Sequence, residues 1–269
     1  MILGIDIGGT KTLLGVFDKK GEVIETLKFP TPKNYKEFLS VLKSSVANLK
    51  TRDFKTAVAA VPGRLERERG TFTRGGNLQW QDVSIRKDLC DAVGITTLQV
   101  ENDAKLAGLS EAQTYPDSFV LYITISTGIG TSVVDHGRLD HAMLDSEGGY
   151  ILLSNGDSML PWEKVGSGKA IKEKYGKLAC EIDDHKTWDE ITDTMALGIV
   201  DLCAVVEPEI VIIGGGVGSS FSKFGDQLIK KVAKLKPEIV RMPKIVGAKD
   251  AEMASLRGCY VYAQQTAKN

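Results

Sequence analysis

The sequence predicts an α/β fold made of two similar halves that enclose a cleft, and three observations carry that prediction. Apolar strand-like runs alternate with segments of helical period. An order of strand, glycine-rich turn, strand and Asp-containing turn begins at residue 2 and again at residue 119. The 269 residues are 42% hydrophobic and 26% charged, enough for one large core or two modest ones.

Residues 2–7, 12–18 and 22–29 read as strands, the last two joined by the turn Asp18-Lys19-Lys20-Gly21, so the chain opens as an antiparallel meander. Within 34–50, Phe38, Val41, Leu42, Val46 and Leu49 recur at helical spacing. Residues 56–61 then form an apolar strand that ends at Pro62-Gly63. After an irregular basic stretch through Gly75-Gly76, residues 84–93 read as helix, 96–100 as strand and 103–113 as helix, completing one mixed unit near residue 110.

The second unit starts with the strand 119–125, the turn Ser126-Thr127-Gly128-Ile129-Gly130 and the strand 131–134 before Asp135-His136-Gly137. Little identity links this stretch to residues 2–18, so the repetition reads as structural duplication. Helices near 167–177 and 187–206, the strand 210–213, a helix near 219–235 and a closing helix from about 250 complete the chain. The expected domains are 1–110, completed by the C-terminal helix 250–269, and 111–249.

The charge balance narrows the function. A net charge of -1 and a pI near 6.3 lack the excess of Lys and Arg that tracks nucleic acid or anionic lipid. There is no basic leader with an apolar core and no run of 18 apolar residues, so a cytoplasmic protein without a membrane partner is expected. Cys90, Cys180, Cys203 and Cys259 are far apart and form no C-x-x-C pair. They read as reduced, small core residues, and His136, His141 and His185 lack metal-ligand spacing.

Three glycine-rich turns carry the chemistry. In Gly4-Ile5-Asp6-Ile7-Gly8-Gly9-Thr10-Lys11, strand alternation sets Gly4, Asp6 and Gly8 on an open face. Gly8 and Gly9 would let amides approach an anion, Thr10 and Lys11 add donors, and Asp6 could hold magnesium directly or through water. A tight hairpin with a solvated Asp explains the same residues. Ser126, Thr127, Gly128 and Gly130 offer hydroxyls and unhindered amides as a second cradle. Gly214, Gly215 and Gly216 follow the apolar run Ile210-Val211-Ile212-Ile213, as a nucleotide-binding turn does. A dinucleotide fold is excluded because no acidic-ended strand follows about 20 residues on.

Asn102 and Asp103 sit where a strand passes into a helix, a place that favours both residues as caps. A carboxylate there is also placed to orient a hydroxyl and accept its proton late in phosphoryl transfer. Glu147, Tyr150 and Glu163 follow in irregular segments; the acids suit paired hydroxyls, and Trp80 or Tyr150 could pack on a sugar ring.

Taken together, the segments resemble the ROK family of sugar kinases and related repressors. They are 4–11, Gly76-Asn77-Leu78-Gln79-Trp80, Glu101-Asn102-Asp103-Ala104, 126–130, Glu147-Gly148-Gly149-Tyr150, Glu163 with 167–171, and 212–217. The resemblance implies an actin/hexokinase-like (ribonuclease H-like) duplicated fold and a kinase using ATP and Mg2+ on a glucose-like hexose. It makes Asp103 the catalytic base, and gives Asn102, Glu147, Glu163 and Tyr150, with Asn77, Gly63 and Arg64, to the sugar. The Gly8 and Gly128 turns and Gly214–Gly216 would take the phosphates and nucleotide, and a homodimer is implied.

The sequence departs from the family pattern in two places. Tyr150 stands where the family has the histidine of E-x-G-H, and the stretch from Tyr150 to Glu163 lacks the cysteines of a zinc loop. No structural zinc is therefore expected. A polyphosphate-dependent glucokinase and a non-catalytic sugar sensor are the alternatives. A repressor is disfavoured because no helix-turn-helix segment precedes the first strand.

Overall fold

The structure, a computed structural model, describes residues 1–75 and 77–267. Gly76 of the glycine pair at 75–76 and the last two residues of the expected 250–269 helix lie outside the described residues. The chain divides into two units, Met1–Ser110 with the segment from Met253 onward, and Glu111–Glu252.

The first unit opens with β1 (Ile2–Ile7), β2 (Lys11–Phe17) and β3 (Val23–Pro30), followed by α1 (Tyr35–Ala47), β4 (Thr56–Val61), β5 (Arg64–Glu66) and β6 (Thr71–Arg74). Next come α2 (Ile85–Val93), β7 (Leu98–Asn102) and α3 (Asp103–Ala112). The sheet runs β3-β2-β1-β4-β7, antiparallel across the meander and parallel from β1 through β4 to β7. Parallel strands buried on both faces read as continuous apolar runs, and Thr-Ala-Val-Ala-Ala-Val of β4 is buried from its second residue onward. Phe38, Leu42, Val46, Ile85 and Leu89 of α1 and α2 join a core with Ile5, Ile7, Ala59 and Val100 of the sheet.

The second unit holds β8 (Phe119–Ile125), β9 (Ile129–Asp135), β10 (Arg138–Leu139), β11 (Leu152–Asn155) and β12 (Ser158–Pro161). These lead to α4 (Trp162–Gly166), α5 (Gly168–Tyr175), α6 (His185–Val206), β13 (Ile210–Gly214), the helical turn α7 (Gly215–Gly218), α8 (Phe221–Leu235) and β14 (Lys244–Gly247). Its main sheet runs β10-β9-β8-β13-β14. Counting only the strands of each five-stranded sheet, both follow the order third, second, first, fourth, fifth. The duplication read from the two hairpins therefore extends to topology. Trp188 stacks on Phe224 at 4.6 Å, joining α6 to α8. The Trp162 ring packs so closely on α6 that a Cβ at Gly198 would meet it at 2.3 Å.

The chain returns to the first unit as α9 (Ala254–Thr266), which packs on β1 and β4. A Cβ on Gly4 or Gly15 would lie 2.9 or 2.5 Å from the Leu256 side chain, and one on Gly258 would lie 2.0 Å from the carbonyl oxygen of Leu106. The glycine face of β1, expected to be open, is thus covered by α9 except toward the strand's end. Residues 250–253 precede that helix, and the N–H groups of Lys249 and Asp250 donate instead to the buried carboxylate of Glu111 at 2.8 and 2.9 Å.

The segments expected to be irregular contain short strands. β5 and β6 pair within the basic stretch, and β11 and β12 form a hairpin across Gly156-Asp157, with Gly156 at φ 62°. Cys203 and Cys259 are buried as expected, whereas Cys180 is exposed and Cys90 only partly covered. No helix among the described residues is long and apolar enough to cross a membrane.

Candidate functional site

In an open sheet, ligands gather at the carboxyl ends of parallel strands, where the connections diverge. The registers of the first unit bring its expected site residues to one such edge. Asp6 of β1 pairs with Ala60 of β4, and Val61 pairs with Asn102 of β7, so the Gly8–Lys11 turn, Gly63 and Asp103 all issue from the same end. The Gly8 N–H closes its turn on the Lys11 carbonyl at 2.9 Å. Gly9 has a packing reason of its own: a Cβ there would sit 2.4 Å from the Cβ of Asn77. Thr10, Lys11 and Asn77 are exposed.

Asp6 and Asp103 interact electrostatically. Burial, helped by the Asp103 charge and opposed by Lys11, pushes the Asp6 carboxyl up to about 7. Asp6 is only partly exposed, so dense surroundings more than complete enclosure cause the shift. Two acids in this arrangement suit Mg2+, which takes one or two carboxylates and leaves its other positions to water and phosphate. Among the described residues, no three His, Cys, Asp or Glu side chains converge on a metal-sized site.

Asn102 and Asp103 hold the junction of β7 and α3. The Asn102 Oδ1 accepts from the N–H groups of Ala104 and Lys105 at 2.9 and 3.2 Å, while its Nδ2 donates to the Gly63 carbonyl at 3.0 Å. Asp103 Oδ1 accepts from the Ala104 N–H at 2.8 Å, and the Ser255 hydroxyl of α9 donates to the Asp103 carbonyl at 3.2 Å. Gly63, at φ 113°, lies against Gly75, at φ 130°, so closely that a Cβ on either would meet the other's Cα within 2.9 Å. Arg64 is exposed on the adjoining strand.

The second unit repeats the arrangement. Gly214 pairs with Thr124, placing the turn after β8 beside the turn after β13. The Ser126 N–H donates to the Gly128 carbonyl at 2.9 Å, and the Gly168 N–H donates to the Ser126 carbonyl at 2.7 Å. Gly130 pairs with Thr124 at the start of β9. Gly214 is required by the Tyr122 ring, whose hydroxyl a Cβ would meet at 2.2 Å, and Gly215 takes φ 77° against Ile125. Gly216 faces open space with Ser126, and both line a cavity of about 400 Å³ with Thr127 and Val217. Lys169, Lys172, Leu178, Ala179 and Cys180, none of them expected at a site, line it too.

Glu147, Tyr150 and Glu163 form a second group in this unit. Tyr150 is exposed; partial burial and the nearby carboxylates of Glu163 and Glu147 raise its phenol above the ordinary value. Gly128 adjoins the same acid, since a Cβ there would lie 2.8 Å from Glu163 Oε2. Trp80, in contrast, is not placed to stack on a ligand. It is 4% exposed, lies 4.5 Å from Phe38 and near Tyr35 and Phe72, and donates its Nε1–H to the Lys33 carbonyl at 3.1 Å.

Known proteins share this fold. An N-acetyl-D-glucosamine kinase of Citrobacter koseri is 27% identical, with 96% of this chain and 97% of that protein covered. The crystal structure of a ROK family glucokinase from Streptomyces griseus, in complex with glucose and AMPPNP, superposes with a TM-score of 0.82 at 22% identity, over 98% of this chain and 99% of that one. A ROK family transcriptional regulator, a homologue of the E. coli MLC protein, superposes with a TM-score of 0.81 at 17% identity, over 98% of this chain and 77% of that one. The fold is that of the actin/hexokinase-like sugar kinases. The ROK family profile matches residues 2–266, and the chain belongs to the ROK family.

Proposed function

We propose that the protein is a sugar kinase that transfers the terminal phosphoryl group of ATP to a hydroxyl of a glucose-like hexose, with Asp103 as catalytic base. The observation that carries this reading is the placement of Asp103 beside Asp6 and the Gly8–Lys11 turn at one sheet edge. Phosphoryl transfer passes through a loose transition state, so the base need only orient the hydroxyl and take its proton late. The cap hydrogen bonds hold Asp103 for that task. Asn102 has a second Nδ2 hydrogen to offer a hydroxyl, and Gly63, Arg64 and Asn77 adjoin it on the sugar side. In the second unit Glu147, Tyr150 and Glu163 supply hydroxyl partners.

The cavity of the second unit supports a nucleoside triphosphate over polyphosphate as donor. Leu178, Ala179 and Val217 provide an apolar wall suited to a base, and Ser126, Thr127 and Gly216 provide hydroxyls and amides suited to phosphates. Magnesium, held by Asp6 directly or through water, would supply charge neutralisation for the phosphoryl group. The two structural units act as the two domains of a cytoplasmic homodimer in this reading, and sedimentation tests the dimer.

The experiment is ADP release measured with a panel of glucose, mannose and N-acetylated hexosamines, each with ATP and with polyphosphate. Sugar-dependent release from ATP supports the proposal. Sugar binding without turnover on either donor overturns it in favour of a sensor, a reading supported by Tyr150 standing in place of the family histidine.

A further inference from the structure

Behind Asp103 lies a charged pair that the reading above does not use. Glu101, two residues earlier on β7, is 0% exposed. Arg67, in the connection between β5 and β6, grips its carboxylate twice: Nε donates to Oε2 and Nη2 to Oε1, each at 2.7 Å. The Asn102 N–H donates to the same Oε1 at 2.7 Å. Arg86 of α2 extends the chain of contacts by donating to the carbonyls of Arg67 and Glu68.

Such a pair is a poor source of stability. Removing the Glu101 charge from water costs several kcal/mol, which attraction to the partly exposed Arg67 repays only with excellent geometry, and apolar replacements of such pairs are often as stable. Its physical effect is directional. A guanidinium fork meeting a carboxylate in two parallel bonds sets the plane of that carboxylate. Oε1 is thereby aimed at one peptide N–H, that of Asn102.

That peptide lies one residue before Asp103. β7 runs into α3 without an intervening residue, so the orientation of the 101–102 peptide carries directly into the first residue of the helix. From the far side, the Asn102 side chain fastens the same junction to Ala104, Lys105 and Gly63. Arg67 also belongs to the segment that begins at Gly63, so one ion pair ties the sugar-side loop to the strand end that carries the base.

We propose that Arg67 and Glu101 are positioning residues for Asp103, setting its carboxylate for the acceptor hydroxyl without touching the substrate themselves. This rests on the reading of Asp103 as the base. Misplacing a catalytic group by about 1 Å can cost about 100-fold in rate. Glu101→Gln keeps the shape but sets an amide NH2 against either the Arg67 fork or the Asn102 N–H. Arg67→Lys keeps the charge and loses the fork.

The test is a mutant cycle on sugar-dependent turnover, using the full chain. Glu101→Gln and Arg67→Lys are expected to lower kcat by about 10- to 100-fold with sugar KM changed less than about threefold. On an Asp103→Asn background, assayed for residual transfer with radiolabelled ATP, neither is expected to cost more than about twofold. Circular dichroism and the urea midpoint identify variants that fail to fold, and the folded variant of the two decides the case. An unchanged kcat, or the same fold loss on both backgrounds, would overturn the positioning role while leaving Asp103 as base. An Asp103→Asn protein with undiminished turnover would remove the base assignment and this inference together.

Discussion

Asp6 lies under the charge of Asp103: burial, with that charge adding to it, pushes the Asp6 carboxyl up to about 7. In the unfolded chain an Asp titrates near 3.9, about three units lower. The folded state therefore holds this proton more tightly than the unfolded state between those values, and stability falls as pH rises through that window. We expect the metal-free protein to lose up to about 4 kcal/mol from this group between pH 4 and 7, at about 1.36 kcal/mol per unit. Asp6→Asn removes the loss. Urea unfolding of both proteins in chelator from pH 4.5 to 8 checks it; parallel curves would show that Asp6 is not perturbed.

Asp103→Asn keeps the cap geometry, because the amide oxygen can still accept from the Ala104 N–H now held at 2.8 Å. It removes the proton acceptor. General-base groups contribute about 100- to 10,000-fold, so kcat is expected to fall by at least about 100-fold, with the sugar dissociation constant changed only a few-fold. Steady-state kinetics and calorimetry of sugar binding measure the two effects separately. Weakened binding with an unchanged kcat would assign Asp103 to the sugar and not to the chemistry.

The support beneath that residue is also testable. A methyl group at Gly258 would lie 2.0 Å from the Leu106 carbonyl oxygen, a backbone atom that no rotamer change can move aside. Gly258→Ala must therefore separate α9 from α3, and overpacking of this kind typically costs about 1–3 kcal/mol. The urea midpoint should drop accordingly. Because Ser255 on α9 holds the Asp103 carbonyl, kcat should fall as well under conditions where the variant is fully folded.

What could be read in advance follows from how far apart the cooperating residues lie. The two opening hairpins were legible because strand period, glycine turn and returning strand occur within about 17 residues of each other, and local order is what pattern reading detects. The Arg67–Glu101 pair spans 34 residues and exists only once β5 and β7 are in place. The place of Trp80 in the core is hidden for the same reason, since its partners Tyr35, Phe38 and Phe72 come from three separate segments. The hairpin at 152–161 did carry a signal, Gly156-Asp157, since glycine at the first central position favours a two-residue turn. Its strands, with adjacent Leu152 and Leu153 and an exposed Met159, lack clean alternation. Glycine motifs are ambiguous in another way. Gly9 answers to Asn77 and Gly214 to Tyr122, so packing alone accounts for glycines that a motif assigns to a ligand.

Cys180 gives the cavity of the second unit a direct probe. Cys180 is exposed and lines that cavity, Cys90 is partly covered, and Cys203 and Cys259 are buried. Burial raises the Cys203 thiol to about 12, and it raises the Cys259 thiol further, with the Asp6 charge adding to the effect. The thiolate is the reactive form, so these two should stay inert toward a disulfide reagent until the protein unfolds. We expect one rapidly reacting thiol in the native protein, lost in Cys180→Ser, and four in urea. A non-hydrolysable ATP analogue should slow that thiol at least about tenfold, in proportion to occupancy at concentrations well above its Kd, whereas glucose alone should not. Equal protection by polyphosphate would extend the cavity to that donor, and reaction unaffected by saturating nucleotide would place the nucleotide elsewhere.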